Sequence, residues 1–359
     1  MENTNGYLEL FPKGFGFLRS SQQNFKPSKD DIYVSPGLVR SHFLEEGMLI
    51  SGNTSAQKDG KIQLGEIISI NGWPPKEMRQ RKSLKEQTSI SPDVPLNLCI
   101  DEKDRLGMIL NFVAPTGMGQ RGMIISAPKT GKTTILKQYA QAVQKNHPDI
   151  KTYVLLVDER PEEVTDFRRA LEHSCVLSSS ADESTSNHLR MTRLALNAAI
   201  RDAEVGKNVL VLIDSLTRMA RAFNKETQSH GRTLSGGLAA NALELPRRFF
   251  GAARNLEHGG SLTVMATILV DTGSRMDEVI FQEFKGTGNL DLVLSTKCAE
   301  HRLYPAININ ASGTRKEELL LTDEQHRQAT KLRRFLGQMS ETEAMQYLLT
   351  HTESLELFK

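Results

Sequence analysis

Chemistry is most legible in the stretch Ser126-Ala127-Pro128-Lys129-Thr130-Gly131-Lys132-Thr133. It follows an apolar run, Met123–Ala127, and opens a segment with helical periodicity from Gly131. A turn of backbone N–H groups at the start of a helix favours a polyphosphate, because the unpaired donors and the helix dipole both face the anion. The spacing fits the phosphate-loop pattern GxxxxGK[ST] everywhere but at its first position, where Ser126 stands for glycine. In that pattern Lys132 reaches the outer phosphates and Thr133 ligates Mg²⁺, with Thr130, Gly131 and Thr134 flanking the nucleotide. Lys129 is either a second phosphate contact or a solvated lysine. ATP and Mg²⁺ are the expected ligands.

Two further runs end in carboxylates. Val209–Asp214 is an apolar strand closing on Asp214, the position that holds Mg²⁺ in a phosphate-loop sheet. The alternative is an Asp capping a helix that starts at Ser215. Tyr153–Val157 leads into Asp158-Glu159-Arg160-Pro161-Glu162-Glu163. Ligands of open α/β sheets bind at the carboxyl ends of strands, so Glu159 is the candidate base for an attacking water. Glu162 and Glu163 follow Pro161 in a first helical turn, where the helix dipole accounts for them.

The elements that must position these groups follow from periodicity. From about Leu96 the pattern is strand, loop and helix repeated, with strands at Met123–Ala127, Tyr153–Asp158, Val209–Asp214 and Leu262–Val270. That alternation implies a mostly parallel sheet covered on both faces. Asp323–Phe358 reads as helical. Residues 1–72 differ, with short strands at Tyr7–Leu10, Phe15–Arg19, Ile32–Ser35, Met48–Ser51 and Leu64–Ile70. Five such strands suggest a small closed barrel of the OB type. The expected division is a barrel over 1–74, a linker over 75–95 and an α/β domain over 96–359. The linker is rich in proline and in basic residues (Lys76, Arg79, Arg81, Lys82, Lys85), read as a solvated connector or as a nucleic-acid contact.

On the barrel, Phe15 and Phe17 lie two residues apart and share a strand face. With Arg19 and Tyr33 they form either core or a platform on which bases stack. Bulk composition is permissive: 359 residues carry a formal charge of +2, which neither requires nor excludes nucleic acid. Cys99, Cys175 and Cys298 are scattered without metal-ligand spacing and read as inert thiols. No apolar run approaches the ~20 residues of a membrane helix, and the first residues lack signal-peptide character. The expectation is a cytoplasmic protein.

Taken in order, several runs resemble one family, the bacterial transcription termination factor Rho, a hexameric RecA-like RNA helicase. They are Gly119–Gly122, Pro128–Thr133, Val157–Thr165, Asp214–Arg221, Ala240–Asn255, Asp271–Asn289 and Ser312–Leu320, and the likeness extends over about residues 6–345. The family commonly lacks the first phosphate-loop glycine. The resemblance implies an ATP-hydrolysing, RNA-translocating ring that binds nascent single-stranded RNA and acts on the RNA polymerase elongation complex. It implies Lys129, Lys132 and Thr133 as phosphate and Mg²⁺ contacts, Glu159 as catalytic carboxylate with Arg160 beside it, and Asp214 as the metal-binding carboxylate. Arg315 resembles an arginine finger given to a neighbouring subunit, Arg302 a second arginine there, and Tyr304 an aromatic against adenine. Arg232, in the Gln228–Gly237 loop, and Lys285 resemble RNA contacts lining a central hole. Phe15, Phe17, Arg19 and Tyr33 resemble the family's primary RNA site on a cold-shock-like barrel. Family members usually begin with a helical subdomain ahead of the barrel, whereas this sequence starts almost at it, and Ser55–Lys61 lacks an aromatic often found there. Two rival readings are a RecA-like or rotary ATP synthase subunit, and an RNA-binding regulator whose ATPase core is only scaffold.

Overall fold

The computed structural model describes residues 3–56, 62–171, 174–180, 183–227, 237–239 and 241–359. Alternation of apolar and polar residues closes the first part into a five-stranded barrel. Its strands are β1 (Asn3–Leu10), β2 (Gly16–Arg19), β3 (Ile32–Val34), β4 (Leu49–Ala56) and β5 (Ile62–Ile70), ordered β1-β2-β3-β5-β4. A short helix, α1 (Pro36–Ser41), follows β3. Leu8, Leu18, Val34, Ile50, Leu64 and Ile70 fill the interior. Leu18 points inward, so its neighbours Phe17 and Arg19 lie on the opposite face of β2. Gly16 is required: a Cβ there would lie 2.6 Å from the Glu9 carbonyl oxygen.

The linker is built into the structure. It contains α2 (Pro75–Met78) and β6 (Ser89–Ile90), and it buries Met78 and Leu84. Arg81 is neither solvated nor free for nucleic acid, because it pairs with both Glu204 and Glu45. The Leu84 amide donates to Glu204 at 2.9 Å. Sequence composition marked this stretch as a connector, but it carries buried polar and apolar groups that fix it to the second domain.

That domain contains β7 (Pro95–Leu96), α3 (Arg105–Val113), β8 (Thr116–Gly117), β9 (Arg121–Ser126), α4 (Lys132–Asn146), β10 (Lys151–Glu159) and α5 (Pro161–Ala170). There follow β11 (Cys175–Ser180), α6 (Thr185–Glu204), β12 (Asn208–Asp214), α7 (Leu216–Thr227), α8 (Glu244–Phe250), β13 (Arg254–Leu256) and β14 (Ser261–Leu269). The last are α9 (Arg275–Phe284), β15 (Leu290–Val293), α10 (Thr296–Glu300), β16 (Gly313–Thr314), α11 (Asp323–Leu336) and α12 (Glu341–Thr350). The main sheet runs β11-β10-β12-β14-β9-β15-β16, parallel except at β16. One core cluster joins the sheet to α3, α4, α5, α11 and α12, and a second joins it to α6, α7, α8 and α9. Central strands such as Val209–Ile213 are buried on both faces, which explains their unbroken apolar run.

Barrel and sheet domain meet at a buried carboxylate. Asp202, on α6, accepts from Lys151 Nζ at 2.7 Å, Lys207 Nζ at 2.9 Å, Tyr153 at 2.7 Å and Asn71 at 3.0 Å. Asn71 comes from the end of the barrel, and Tyr7 of β1 lies 3.3 Å from the Tyr153 hydroxyl. A second junction is Glu9, held by Arg19 at 2.6 Å and by Arg190 of α6 at 3.2 Å. Among the described residues no helix is long and apolar enough to cross a membrane.

Burial alone would raise the Asp202 pKa, but Lys151 and Lys207 outweigh it and hold it below its ordinary 3.8. The stability this group contributes is therefore present above that ordinary value and is lost as pH falls through the lower, folded value. Asp202→Ala leaves two lysines and a tyrosine without their acceptor. It should lower stability at neutral pH by about 3–5 kcal/mol, read as a lower thermal midpoint. The difference from the parent protein should shrink on acidification towards the Asp202 pKa.

Candidate active site and nucleic-acid face

The phosphate loop starts at the end of β9. Ser126 is fully buried, and its Oγ lies 2.9 Å from Thr130 Oγ1, whose hydroxyl donates to the Ala127 carbonyl at 2.8 Å. Serine in place of the first glycine thus pins the base of the loop. Gly131 caps α4 at φ 97°, a backbone setting that favours glycine. Lys129 also has positive φ and is exposed at the loop's rim, as is Thr134 in the first turn of α4.

Strand order brings the remaining groups together. Asp214 ends β12 and Glu159 ends the adjacent β10. β14 lies between β12 and β9, and its Thr267 donates to Asp214 Oδ1 at 2.8 Å. Lys132 Nζ reaches across to Asp214 Oδ2 at 2.6 Å and to Glu159 Oε2 at 3.5 Å. The helix-capping alternative for Asp214 does not hold. Ser215 Oγ accepts from the Arg218 amide at 3.2 Å, which leaves the Asp214 carboxylate to Lys132 and Thr267. Thr133 Oγ1 donates to Glu163 Oε2 at 3.3 Å. Glu159, Glu163 and Asp214 each offer an oxygen within 4.8 Å of the others. This set of hard oxygen donors suits a divalent cation such as Mg²⁺.

Sequence reasoning missed several of these contacts. Arg160, expected beside Glu159, caps α5 and is exposed. Arg218 of α7 takes that place, 3.2 Å from Glu159 Oε1, and also donates to the Asp158 carbonyl. Only the folding of α7 over the end of β10 reveals it. Glu163, ascribed to the helix dipole, faces Thr133. Arg302 and Tyr304 are exposed on the segment after α10, and Arg315 is exposed just beyond β16, at the opposite edge of the sheet from β10. No contact within this chain joins these three to Lys132, Glu159 or Asp214 among the described residues. Lys285 follows α9 and is exposed, with Nζ 5.8 Å from the Phe281 ring. Arg232 lies outside the described residues.

The barrel carries a partly exposed aromatic cluster. Phe15, Phe17 and Tyr33 lie with ring centroids 5.8–5.9 Å apart. Phe11 joins them, stacked on Phe15 at 5.1 Å and edge-on to Phe17 at 5.8 Å. Phe11 escaped the period-2 reading because it lies beyond the end of β1; the Phe11 amide donates to the Phe15 carbonyl at 2.9 Å across the turn. Arg19 is in place but is not a free cation. Its side chain is 5% exposed, pairs with Glu9 and Asp31, and lies 5.0 Å from the Phe17 ring.

A phosphate-loop ATPase domain joined to an RNA-binding barrel is the class of protein that this fold and site define. Residues 108–314 match the nucleotide-binding domain of the ATP synthase alpha/beta family, and residues 4–76 match the Rho termination factor RNA-binding domain. Transcription termination factor Rho of Cereibacter sphaeroides is 45% identical over 351 residues, covering 96% of this chain and 83% of the relative. Rho of Haemophilus influenzae is 44% identical over 366 residues, covering 99% and 87%. The chain belongs to the transcription termination factor Rho family. In fold it is also similar to an ATPase of a bacterial type III secretion system, at 23% identity and a TM-score of 0.62, covering 77% of this chain and 78% of that one.

Burial raises the Glu159 pKa above its ordinary 4.5, and Asp214 and Glu163 add to this, while Lys132 and Arg218 act against it. If the ionised carboxylate is the base, the acid limb of ATP turnover lies above pH 4.5. Arg218→Gln removes a cation that favours ionisation. It should move that limb further up and lower turnover near neutral pH, as a pH profile of hydrolysis would show.

Proposed function

We propose that the chain is an RNA-dependent ATPase that works as a homo-hexameric ring in the cytoplasm. It binds nascent single-stranded RNA, translocates 5′ to 3′ along it, and releases the transcript from the RNA polymerase elongation complex. The observation that carries this reading is the union, in one chain, of the Lys132–Asp214–Glu159 cluster and the partly exposed aromatic platform. A rotary ATPase subunit accounts for the first and gives no reason for the second.

In this reading the loop amides and Lys132 bind the phosphates, with Lys129, Thr130, Gly131 and Thr134 along the loop. Lys132, paired with Asp214 here, is the loop lysine that cradles the β- and γ-phosphates in such sites, so it leaves Asp214 as the nucleotide enters. Thr133 and Asp214 would hold Mg²⁺, with Glu163 close by. When bound, the ion neutralises charge on the phosphates. Glu159 orients water and takes its proton, while Arg218 holds the carboxylate in position. Arg160 is left facing solvent at the mouth of the site, available to a neighbouring subunit or a phosphate.

Arg315 and Arg302 act in trans, being exposed and without contact to Lys132, Glu159 or Asp214 of their own chain, as groups serving the adjacent subunit's nucleotide would be, and the exposed Tyr304 stacks on adenine. The barrel binds RNA through Phe15, Phe17 and Tyr33, with Arg19 beneath Phe17. Lys285, and Arg232 of the Gln228–Gly237 loop, line the central channel.

Arg315→Ala should lower turnover by about 10³-fold or more. Mixed into wild-type rings, it should depress activity more steeply than its mole fraction. Simple proportional dilution in a titration of mutant against wild-type subunits would show that Arg315 does not act on a neighbour.

A further inference from the structure

Phe43 lies on the barrel away from the aromatic platform, and its conformation is costly in two ways. It is 69% exposed, the highest value among the large apolar side chains of the described residues. Its backbone sits at φ 50°, a left-handed setting that a bulky residue rarely adopts. The left-handed turn ends α1, with the Leu44 amide donating to the Val39 carbonyl at 3.0 Å, and carries Leu44 into the barrel core; the exposed Phe43 ring takes no part in that core.

The surroundings give the ligand's chemistry. The Arg79 guanidinium lies 5.9 Å from the Phe43 ring centroid and is held there by a 2.8 Å hydrogen bond to the Ser41 carbonyl. Arg40 and Lys76 are exposed nearby along the chain; of the neighbouring carboxylates, Glu77 is exposed and Glu46 is engaged by Arg193. Among the described residues Arg40, Lys76 and Arg79 form no ion pair, whereas the acidic Glu45 is taken up by Arg81 and Arg201. An open aromatic face beside unpaired cations suits a base and its phosphate.

Helix α1 spans from the platform's turn to this position. Pro36, at the start of α1, lies beside the turn that carries Phe15, since a Cβ on Gly14 would be 4.0 Å from Pro36 Cβ. α1 has six residues and is about 9 Å long, and Phe43 follows its far end. Gly37, Arg40 and Ser41 form its exposed face. A strand leaving the platform along that face meets Phe43 within a few nucleotides.

We propose that Phe43 and Arg79 form a second stacking subsite for single-stranded RNA, extending the track that begins on Phe11, Phe15, Phe17 and Tyr33. The proposal rests on the RNA-binding reading of the barrel. Phe43 supplies the face for one base, and Arg79 with Arg40 meets the adjoining phosphates.

The test is fluorescence-anisotropy binding of cytidine oligoribonucleotides, from two to about ten residues, to the full-length protein without nucleotide. Phe43→Asn keeps a residue that tolerates the left-handed backbone. It should weaken binding of the longer RNAs about five-fold or more and leave the dinucleotide unchanged. Phe43→Trp should retain wild-type affinity. Arg79→Gln should lower the salt dependence of long-RNA binding by about one ion. Phe15→Ala with Phe17→Ala is the control and should weaken RNAs of every length. Loss in the control with Phe43→Asn at wild-type affinity for all lengths overturns the subsite alone. Unchanged binding in the control overturns the RNA reading of the barrel itself. A Phe43→Asn protein that binds RNA normally but sediments as a different oligomer would make Phe43 a subunit contact and overturn the proposal.

Discussion

Glu159 and Asp214, both essentially inaccessible to solvent, end adjacent strands and face the same space. Buried carboxylates so close together require cations, because desolvation and mutual repulsion both oppose ionisation. Here Lys132 and Arg218 meet that requirement. Much of the sheet domain serves this constraint. Parallel order sets the two strand ends side by side, β14 contributes Thr267 between them and the phosphate loop, and Gly131 turns Lys132 inward at the start of α4.

The same principle governs the junction of the two domains. Asp202, Glu204 and Glu9 are buried carboxylates, and each is matched by cations from a different part of the chain. Asp202 links the barrel's Asn71 to β10, whose far end carries Glu159. Glu204 fixes the linker through Arg81. Glu9 joins Arg19, under the Phe17 ring, to Arg190 on α6. A displacement of the aromatic platform therefore meets a chain of charged, hydrogen-bonded contacts rather than a flexible tether. That is a physical route by which RNA on the barrel and chemistry at the strand ends could influence one another.

Much of this was legible in the sequence, and particular residues show where legibility ended. The barrel strands and the buried parallel strands announced themselves by periods of two and by unbroken apolar runs. The phosphate loop, Asp214 and Glu159 followed from strand ends meeting helix starts. Arg218 could not be read this way, since its place beside Glu159 depends on how α7 packs over a strand about sixty residues earlier. Arg160 was the nearer residue along the chain, yet it points to solvent. The linker from Pro75 to Pro95 looked like a connector because composition records proline and charge but not partners. Arg81 is buried only because Glu204 and Glu45 converge on it. Phe11 lies outside the strand alternation and joins the platform through the hairpin turn.

The central claim is that RNA on the barrel and ring drives hydrolysis at the Lys132–Asp214–Glu159 cluster. Steady-state ATP hydrolysis by the full-length protein, with and without cytidine-rich single-stranded RNA, tests it most directly when Glu159→Gln is measured in parallel. The account predicts turnover that is low alone, strongly stimulated by RNA, and absent from the variant in both conditions. Turnover of the wild-type protein that is the same with and without RNA would contradict it.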